Sequence, residues 1–346
     1  MKTNELRATD RPLSAEYDTA LLDLDGVVYR SQDAVPHAVP SLLEAAGQGM
    51  RLTYVTNNAS RTPEAVAAHL VELGLPATAD EVVTAAQAVA RLIAERVPKG
   101  ARVLAVGGEG LVKALEEHGL TLVHSADDDP AAVVQGYVPE TSWKDLAEIA
   151  YAVGRGVPWF SANTDLTMPT ARGIAPGNGA MVTAVAQATK TWPTVAGKPE
   201  PALHRETMIR TEAKKPLVIG DRLDTDIEGA NRAGVDSLLV FTGVTDEDGL
   251  LAAGPEQRPT YIAADLRGLL EPARAPERDG DGWRCGAWRA ELVDGELKSS
   301  RVDGSKGSGK DEGGDAAEGD DPLDELRARC AATWAGSEKD AGSKKD

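Results

Sequence analysis

Short apolar runs alternate with helical segments along most of this sequence, and this alternation constrains the fold more than any other feature. The apolar runs predict strands at 19–24, 51–56, 102–106, 132–135, 157–161, 216–220 and 237–241. Helical patterns lie between them at 40–47, 62–73, 143–155, 201–210 and 226–233. Such alternation is typical of a parallel sheet with helices on its faces. The sequence therefore predicts a doubly wound α/β fold, closed by the strand 237–241.

The composition excludes several classes of protein. The 346 residues include 37 Lys and Arg against 55 Asp and Glu, which gives a formal charge of −18. So acidic a chain is not expected to bind nucleic acid or an anionic membrane surface, because both require a basic footprint. Apolar runs fall short of the roughly 18–20 residues of a membrane span, and residues 1–13 lack a signal peptide's apolar middle. With only two cysteines besides, a cytoplasmic protein is expected.

The last part of the chain, 273–346, has a different character and predicts a small α+β appendage. Apolar and polar residues alternate over 282–297 around an Asp-Gly turn, which indicates a β-hairpin. Residues 303–321 are rich in Gly, Ser, Asp and Glu and predict a disordered linker. The helix expected to follow carries apolar residues along one side, at Leu323, Leu326, Cys330 and Trp334.

Two carboxylates, Asp23 and Asp25, lie at the end of the first predicted strand. In open α/β sheets, ligands bind at the carboxyl ends of the strands, which is where this pair lies. If the chain turns there, one residue can offer its side chain and the next its backbone carbonyl. Taken alone the pair is weak evidence, because most Asp-x-Asp pairs are solvated carboxylates in loops.

Three further polar segments strengthen the case for a functional site. They are Thr56-Asn57-Asn58, which ends the strand 51–56, then Gly197-Lys198-Pro199, and the carboxylates from Asp221 to Asp226, which follow the strand 216–220. A hydroxyl with backbone amides suits a phosphate oxygen, and an ammonium binds phosphate as a compact point charge. Each segment alone could be a turn, a surface lysine or a helix N-cap. Together they favour one site that binds phosphate.

These motifs resemble those of a known family, the haloacid dehalogenase-like (HAD) phosphohydrolases. The four family motifs are similar to DLDGVVY at 23–29, TNN at 56–58, GKPEP at 197–201 and GDRLDTD at 220–226. The wording is similar to class IIA, with its NagD-like and 4-nitrophenylphosphatase-like enzymes, over about residues 17–272. The resemblance implies a Rossmann-like core in two parts, 1–81 and 192–272, with an inserted α/β cap of the C2 type at 82–191.

The resemblance also implies a two-step hydrolysis of a phosphate ester. Asp23 would attack phosphorus and form an aspartyl-phosphate. Asp25 would protonate the leaving alcohol and then activate water against the intermediate. Mg²⁺ would be bound by Asp23, the backbone carbonyl of Asp25 and Asp221, as suits a hard cation that prefers oxygen ligands.

Further residues are implied as phosphate ligands and their supports. Thr56 and Lys198 would hold the remaining phosphate oxygens, together with Asn57 and Asn58 of the same motif as Thr56. Asp226 would orient Lys198 or a metal-bound water.

The spacing of the motifs leaves room for a cap over the site. Thr56 and Lys198 are 142 positions apart, enough for a whole α/β domain, and a roofed site suits small substrates. Within this insertion, residues 161–165 resemble the family's substrate-facing TNPD loop, with Thr in place of Pro. Asn163 and Asp165 could contact hydroxyl groups of the substrate, or they could form an ordinary Asx turn.

These features predict a Mg²⁺-dependent phosphatase that acts on a small-molecule phosphomonoester. Glycerol 3-phosphate is the leading substrate, because some class IIA glycerol-3-phosphate phosphatases carry a similar Trp-containing hairpin-and-helix extension. Phosphoglycolate, nucleoside monophosphates, pyridoxal phosphate and sugar phosphates are the alternatives, and a receiver-like signalling domain is a rival from another class. The tryptophans of the tail need a surface to bury against, either the core domain or a second subunit, and the second alternative would make a homodimer.

Overall fold

The computed structural model describes residues 5–170, 172–302 and 321–343, and its first ninety residues alternate strands and helices. In chain order these are α1 (Leu13–Glu16), β1 (Thr19–Leu22), β2 (Tyr29–Arg30), β3 (Asp33–Ala34), α2 (Ala38–Gly47), β4 (Arg51–Thr56), α3 (Pro63–Glu72), β5 (Val82–Thr84) and α4 (Ala85–Ala94). Local signals set the helix boundaries. At α3, for example, the Thr62 side chain accepts the Ala65 N–H and Pro63 opens the helix.

The next hundred residues form a second parallel sheet, which is the cap. Its elements are β6 (Arg102–Val106), α5 (Glu109–Glu117), β7 (Thr121–Val123), β8 (Ala132–Gln135), α6 (Trp143–Gly154), β9 (Trp159–Ser161), β10 (Thr167–Thr170), β11 (Gly173–Pro176), α7 (Asn178–Thr189) and β12 (Thr194–Val195). Five strands pair in the order β12-β9-β8-β6-β7, while β10 and β11 form a separate antiparallel hairpin. Helices α6 and α7 pack together beside the sheet over a shared apolar cluster.

The chain then returns and completes the core. It adds α8 (Ala202–Thr211), β13 (Pro216–Gly220), a π-helical turn (Leu223–Ile227), α9 (Glu228–Ala233), β14 (Asp236–Val240), α10 (Glu247–Leu251) and β15 (Tyr261–Ala263). The core sheet has six parallel strands in the order β15-β14-β13-β1-β4-β5. Apolar clusters cover its two faces, as expected for parallel strands buried on both sides. The predicted doubly wound α/β fold is confirmed.

The structure differs from the sequence expectation at three points along the sheets. Strand β5 pairs with β4 in the core sheet, so the expected division between 81 and 82 falls inside the core, and the chain enters the cap sheet only with β6. On the return, β12 still pairs with β9 of the cap. The pattern also does not close at 237–241, because β15 adds one more strand. All three strands have only two or three residues, too few for a periodic signal.

The appendage is a small antiparallel sheet covered by one helix. Its elements are β16 (Glu277–Asp279), β17 (Gly282–Cys285), β18 (Trp288–Val293), β19 (Glu296–Arg301) and α11 (Asp324–Ser343). The expected hairpin is present, with positive φ angles at Asp294 (54°) and Gly295 (82°), as its two-residue turn requires. The predicted linker lies outside the described residues, except for Asp321.

Helix α11 also packs against the core and so connects the appendage to it. The four apolar residues expected on one side of it are buried in a cluster with core residues Ile227, Leu239, Leu250 and Ile262. From the same helix, Arg327 donates a hydrogen bond of 3.2 Å to the carbonyl of Ile262 in β15. In the described parts of the chain, no helix is both long and apolar enough to cross a membrane.

The burial of Trp334 predicts how much this contact contributes to stability. Trp334 is 3 % exposed in the cluster between α11 and the core, whereas Trp143 of the cap is 79 % exposed. Trp334→Ala should lower the free energy of unfolding by about 3–5 kcal/mol, as for other buried aromatic truncations. Trp143→Ala, the matched control, should change it by less than about 0.5 kcal/mol. Urea denaturation of both variants tests this, and equal midpoints would contradict the docking of α11.

Candidate active site

Three neighbouring core strands end in polar residues at one edge of the sheet. Asp23 follows β1, Thr56 is the last residue of β4, and Asp221 follows β13. Because β13, β1 and β4 are adjacent and parallel, their carboxyl ends open into the same crevice. The sheet therefore brings together residues almost 200 positions apart in the sequence.

Lys198 enters this crevice from the chain segment that returns from the cap. Its Nζ donates to Asp23 Oδ1 at 2.5 Å and to Asp226 Oδ1 at 2.6 Å, and the residue is only 3 % exposed. Burial by itself lowers the pKa of Lys198, but the two carboxylates, Asp226 first, outweigh it and raise the pKa above its ordinary value. The lysine is therefore held as an ammonium.

Asp226 is fully engaged by its neighbours. Its Oδ1 accepts from Lys198, and its Oδ2 accepts the backbone N–H of Arg222 at 3.2 Å. Asp226 is 1 % exposed and lies in the π-helical turn after β13. With both oxygens occupied, it acts on the rest of the site through Lys198.

Three carboxylates form the acidic part of the site. One oxygen from each of Asp23, Asp221 and Asp226 lies within 4.8 Å of the others. Burial is the main cause that raises the pKa of Asp23 well above its usual range, and the negative charges of Asp226 and Asp221 add to it. Burial together with Asp226 raises the pKa of Asp221 to about 6. So much negative charge in one small volume favours a cation beside it.

The donor set fits a hard divalent cation. Asp221 Oδ2 accepts the backbone N–H of Val244 at 2.7 Å, but Asp221 Oδ1 is buried and has no hydrogen-bond partner among the described residues. A buried carboxylate oxygen without a partner is costly unless a ligand satisfies it. Asp23 and Asp221 are therefore the carboxylates that could bind the ion.

A tight turn after β1 shapes the mouth of the site. Gly26 has a φ of +89°, and a Cβ placed there would lie 2.6 Å from Asp221 Oδ2, so only glycine fits. The Gly26 N–H donates to the Tyr29 carbonyl at 2.9 Å. The turn leaves the side chain of Asp25 at the exposed mouth of the crevice. Partial desolvation by the surrounding protein raises the pKa of this carboxyl, while the positive charge of Arg61 partly opposes that effect.

The three residues of the Thr-Asn-Asn motif have different roles in the structure. Thr56 is 5 % exposed, and its Oγ1 accepts the N–H of Asn58 at 3.1 Å. The Asn58 side chain turns the loop by accepting from the N–H of Ser60 (2.9 Å) and from its hydroxyl (2.7 Å). Asn57 instead bonds to the backbone of Lys198, with Oδ1 accepting the Lys198 N–H at 2.7 Å.

The cap loop after β9 reaches the same place. Asp165 N–H donates to Asn163 Oδ1 at 3.3 Å, which is an Asx turn, but both residues also contact the core. Asn163 Nδ2 donates to the Asn57 carbonyl at 2.7 Å, and Asp165 Oδ1 accepts from Asn57 Nδ2 at 3.2 Å. Burial raises the pKa of Asp165, and the Asn57 hydrogen bond opposes this. The Asx turn is therefore present, while contact of these two residues with a substrate hydroxyl stays a prediction.

Sequence reasoning did not single out the loop after β14. Thr242 Oγ1 donates to the Gly26 carbonyl at 2.6 Å, and Val244 supplies the N–H that holds Asp221. Its position in the sequence could have identified it, because this loop directly follows the predicted strand 237–241, and other site segments also follow predicted strands. Residues 241–245 of this loop carry no ionisable side chain, however, and contribute through backbone and hydroxyl groups.

His204 of α8 lies behind the lysine and is 1 % exposed. Neither ring nitrogen has a hydrogen-bond partner among the described residues. Burial is the main cause that lowers the pKa of His204 to about 3, with a contribution from the charge of Lys198. The imidazole is therefore neutral at ordinary pH.

The chain belongs to the haloacid dehalogenase-like hydrolases. The model of that family matches residues 20–121, and a second, HAD-hydrolase-like model matches 195–269. A D-glycerol 3-phosphate phosphatase of Mycobacterium tuberculosis is 48 % identical over 278 residues, which cover 79 % of this chain and 77 % of that protein. The family predicted from the four motifs is confirmed.

Two solved structures show how far the likeness extends. A glycerol phosphate phosphatase from Mycobacterium tuberculosis in complex with magnesium superposes with a TM-score of 0.83 at 42 % identity, covering 94 % of this chain and 92 % of that one. A single-mutant thermostable NPPase from Geobacillus stearothermophilus gives 0.66 at 36 % identity, covering 72 % of this chain and 96 % of that one. The shorter protein lacks a counterpart to about a quarter of this chain.

The orphaned oxygen of Asp221 predicts its role in cation binding. Asp221→Asn keeps the acceptor for Val244 but removes the charge, so binding of Mg²⁺ should weaken at least tenfold. The matched control is Asp224→Asn, three positions on, whose side chain is 60 % exposed and paired with Arg222. Titration calorimetry with Mg²⁺ measures both. Wild-type affinity in the Asp221 variant would show that the ion does not bind there.

The depressed pKa of His204 predicts a pH dependence of stability. The unfolded chain takes up a proton at this histidine near pH 6.5 and the folded protein only near pH 3, so its contribution is complete above 6.5 and is lost as pH falls toward 3. The slope should be up to about 1.4 kcal/mol per pH unit. His204→Gln should remove it, whereas the exposed control His124→Gln should not. Denaturation at several pH values from 7 to 4 gives the free energy of unfolding for each protein. If this free energy changes equally with pH in wild type and His204→Gln, the burial of a neutral imidazole is refuted.

Proposed function

We propose that this protein is a Mg²⁺-dependent phosphatase that hydrolyses a small-molecule phosphomonoester, with glycerol 3-phosphate as its leading substrate. The observation that carries the proposal is the contact of the Lys198 ammonium with Asp23 at 2.5 Å, beside the unpartnered oxygen of Asp221. A carboxylate nucleophile, a fixed cation and a place for a second cation are the parts that phosphoryl transfer requires.

The proposed chemistry has two steps. An Asp23 oxygen attacks phosphorus while the bond from phosphorus to the alcohol oxygen breaks, and Asp25 gives that oxygen its proton. Asp25 then takes a proton from water as the water oxygen attacks the aspartyl-phosphate, which releases phosphate and restores Asp23. The position of Asp25 at the mouth, next to bulk water, and the raised pKa of its carboxyl suit a group that exchanges protons.

Electrostatic stabilisation of the transferring group comes from fixed charges. Lys198 and the Thr56 hydroxyl hold phosphate oxygens, with the backbone amide of Asn57 beside them, while the Asn58 N–H donates to Thr56 Oγ1 and holds that hydroxyl. Asp226 keeps Lys198 in place through its hydrogen bond of 2.6 Å. Asp23, Asp221 and the backbone carbonyl of Asp25 would hold Mg²⁺, which supplies positive charge to the phosphate when it is bound.

The substrate proposal depends on the cap loop and the appendage. Asn163 and Asp165 both bond to Asn57, which in turn bonds to Lys198, and these contacts support a role for the cap loop in binding the leaving group. The solved glycerol phosphate phosphatase covers 94 % of this chain, whereas the NPPase covers 72 %, so the appendage accompanies the likeness to glycerol phosphate enzymes. This favours glycerol 3-phosphate over phosphoglycolate, nucleoside monophosphates, pyridoxal phosphate and sugar phosphates.

Two further proposals concern the protein in its cell. We propose a cytoplasmic enzyme, since both cysteines are buried free thiols. We also propose a homodimer, for which the exposure of Ile174 and Trp192 on the cap, at 72 and 63 %, is the supporting observation. A solution mass of one chain would contradict the dimer.

The experiment that tests the activity is a phosphate-release screen. Wild-type protein with Mg²⁺ is offered glycerol 3-phosphate, 4-nitrophenyl phosphate and the four alternative substrate classes. The highest kcat/KM should be for glycerol 3-phosphate. A higher value for another ester would replace the substrate, and no release from any ester would favour the receiver-like reading instead.

The nucleophile assignment predicts distinct effects at the two aspartates. Asp23→Asn should abolish turnover, because a neutral amide cannot form the aspartyl-phosphate. Asp25→Asn should lower kcat by about 10²–10⁴-fold, the usual contribution of general acid–base catalysis. Asp33→Asn on the exposed β3 is the matched control and should leave kcat unchanged. Phosphate trapped on a residue other than Asp23, or Asp23→Asn activity within tenfold of wild type, would overturn the assignment.

A further inference from the structure

We propose that Asn57 is a positioning residue that fixes the phosphate-binding lysine and couples it to the cap loop. This inference rests on the proposed phosphatase function and deepens it. The resemblance implied Asn57 only as part of a phosphate-binding motif, whereas its contacts in the structure point away from phosphate and toward Lys198.

The side chain of Asn57 makes two hydrogen bonds to the backbone of Lys198. Its Oδ1 accepts the Lys198 N–H at 2.7 Å, and its Nδ2 donates to the Lys198 carbonyl at 3.2 Å. This close approach requires Gly197, because a Cβ there would lie 2.8 Å from Asn57 Oδ1 and 2.6 Å from the carbonyl of Ala162. The backbone of the lysine is thus fixed on the side opposite its ammonium.

The same amide also connects the lysine to the cap. Asn57 Nδ2 donates to Asp165 Oδ1 at 3.2 Å, and the Asn57 carbonyl accepts from Asn163 Nδ2 at 2.7 Å. A carboxamide has two N–H donors. Both contacts of Nδ2 are made within the protein, to Lys198 and to Asp165, so no donor is left for a phosphate oxygen.

Lys198 is therefore held at both ends. Asp23 and Asp226 fix the ammonium, and Asn57 fixes the backbone at the other end of the side chain, five bonds from Nζ to Cα. A displacement of about 1 Å in a catalytic group can cost about 10²-fold in rate. A shift of the cap loop at Asp165 would also move Lys198, because the Asn57 side chain is hydrogen-bonded to both residues.

The first experiment removes the hydrogen bonds of the Asn57 side chain. In Asn57→Ala, kcat/KM for the best substrate should fall about 10²-fold, and the affinity for inorganic phosphate, measured by calorimetry with Mg²⁺ present, should fall at least tenfold. The matched control is Asn231→Ala, which removes an amide that donates to two backbone carbonyls, of Glu256 and Arg258, at 2.8 and 3.0 Å. This control should leave both quantities unchanged. A lowered melting temperature with unchanged kcat/KM and phosphate affinity would make Asn57 merely structural and overturn the proposal.

A conservative variant keeps the test valid if Asn57→Ala does not fold. Asn57→Asp retains the acceptor for the Lys198 N–H but loses both donations from Nδ2, to the Lys198 carbonyl and to Asp165, so its phosphate affinity should lie between those of wild type and Asn57→Ala. Wild-type affinity in a folded Asn57→Asp would show that the Nδ2 contacts do not matter and would overturn the coupling.

The second experiment tests the connection to the cap with a ligand that has no leaving group. Asp165→Ala should weaken phosphate binding in the wild-type background but not in Asn57→Ala, because the connection is already cut there. Additive effects would overturn the coupling. If the wild type binds phosphate but hydrolyses no ester, only the proposed function is overturned. The phosphate affinities of the variants still test whether Asn57 positions Lys198. A wild type that binds no phosphate would overturn both.

Discussion

The ammonium of Lys198, buried between two carboxylates, is the contact on which the architecture of the site depends. An isolated buried charge costs several kcal/mol, so the lysine can be 3 % exposed only because Asp23 and Asp226 lie within hydrogen-bond distance. Asp23 comes from the end of β1, Asp226 from the turn after β13, and the lysine from the return of the cap. Removing any one of these segments would leave a buried charge without its partner.

The cap is joined to the core by more than its two connecting chain segments. The N–H of Gly110, at the start of α5, donates to the Ser60 carbonyl at 3.1 Å, and Lys113 of the same helix forms an ion pair with Glu64. The backbone N–H of Gly197 donates to the Ala162 carbonyl at 2.7 Å on the other side. These three contacts lie next to segments that carry residues of the candidate site, so the position of the cap and the geometry of that site are set together.

Much of this arrangement could be predicted from the sequence, because parallel strands must place their carboxyl ends together. That rule puts Asp23, Thr56 and Asp221 in one crevice before any coordinates are known. Strands β5, β12 and β15 could not be placed this way, since two or three residues carry no periodicity.

The role of Asn57 was also beyond the sequence. An amide next to a threonine that is predicted to bind phosphate suggests a ligand for phosphate, and only its contacts with Lys198 and Asp165 in the structure indicate another role. The loop after β14 acts through the N–H of Val244, a group that every residue except proline has and that no sequence pattern marks. Residue type predicts chemistry at side chains far better than at the backbone.

The appendage covers part of an exposed edge of the core sheet. Strand β15 is an edge strand, and such edges present unpaired backbone groups that invite association with other chains. Here Arg327 of α11 donates to the Ile262 carbonyl at 3.2 Å, and the Arg7 N–H donates to the Thr260 carbonyl at 3.0 Å just before the strand. The helix also packs on Leu239 of β14, the strand whose following loop holds Asp221. The appendage thus covers part of this edge and packs against the strand whose following loop holds Asp221.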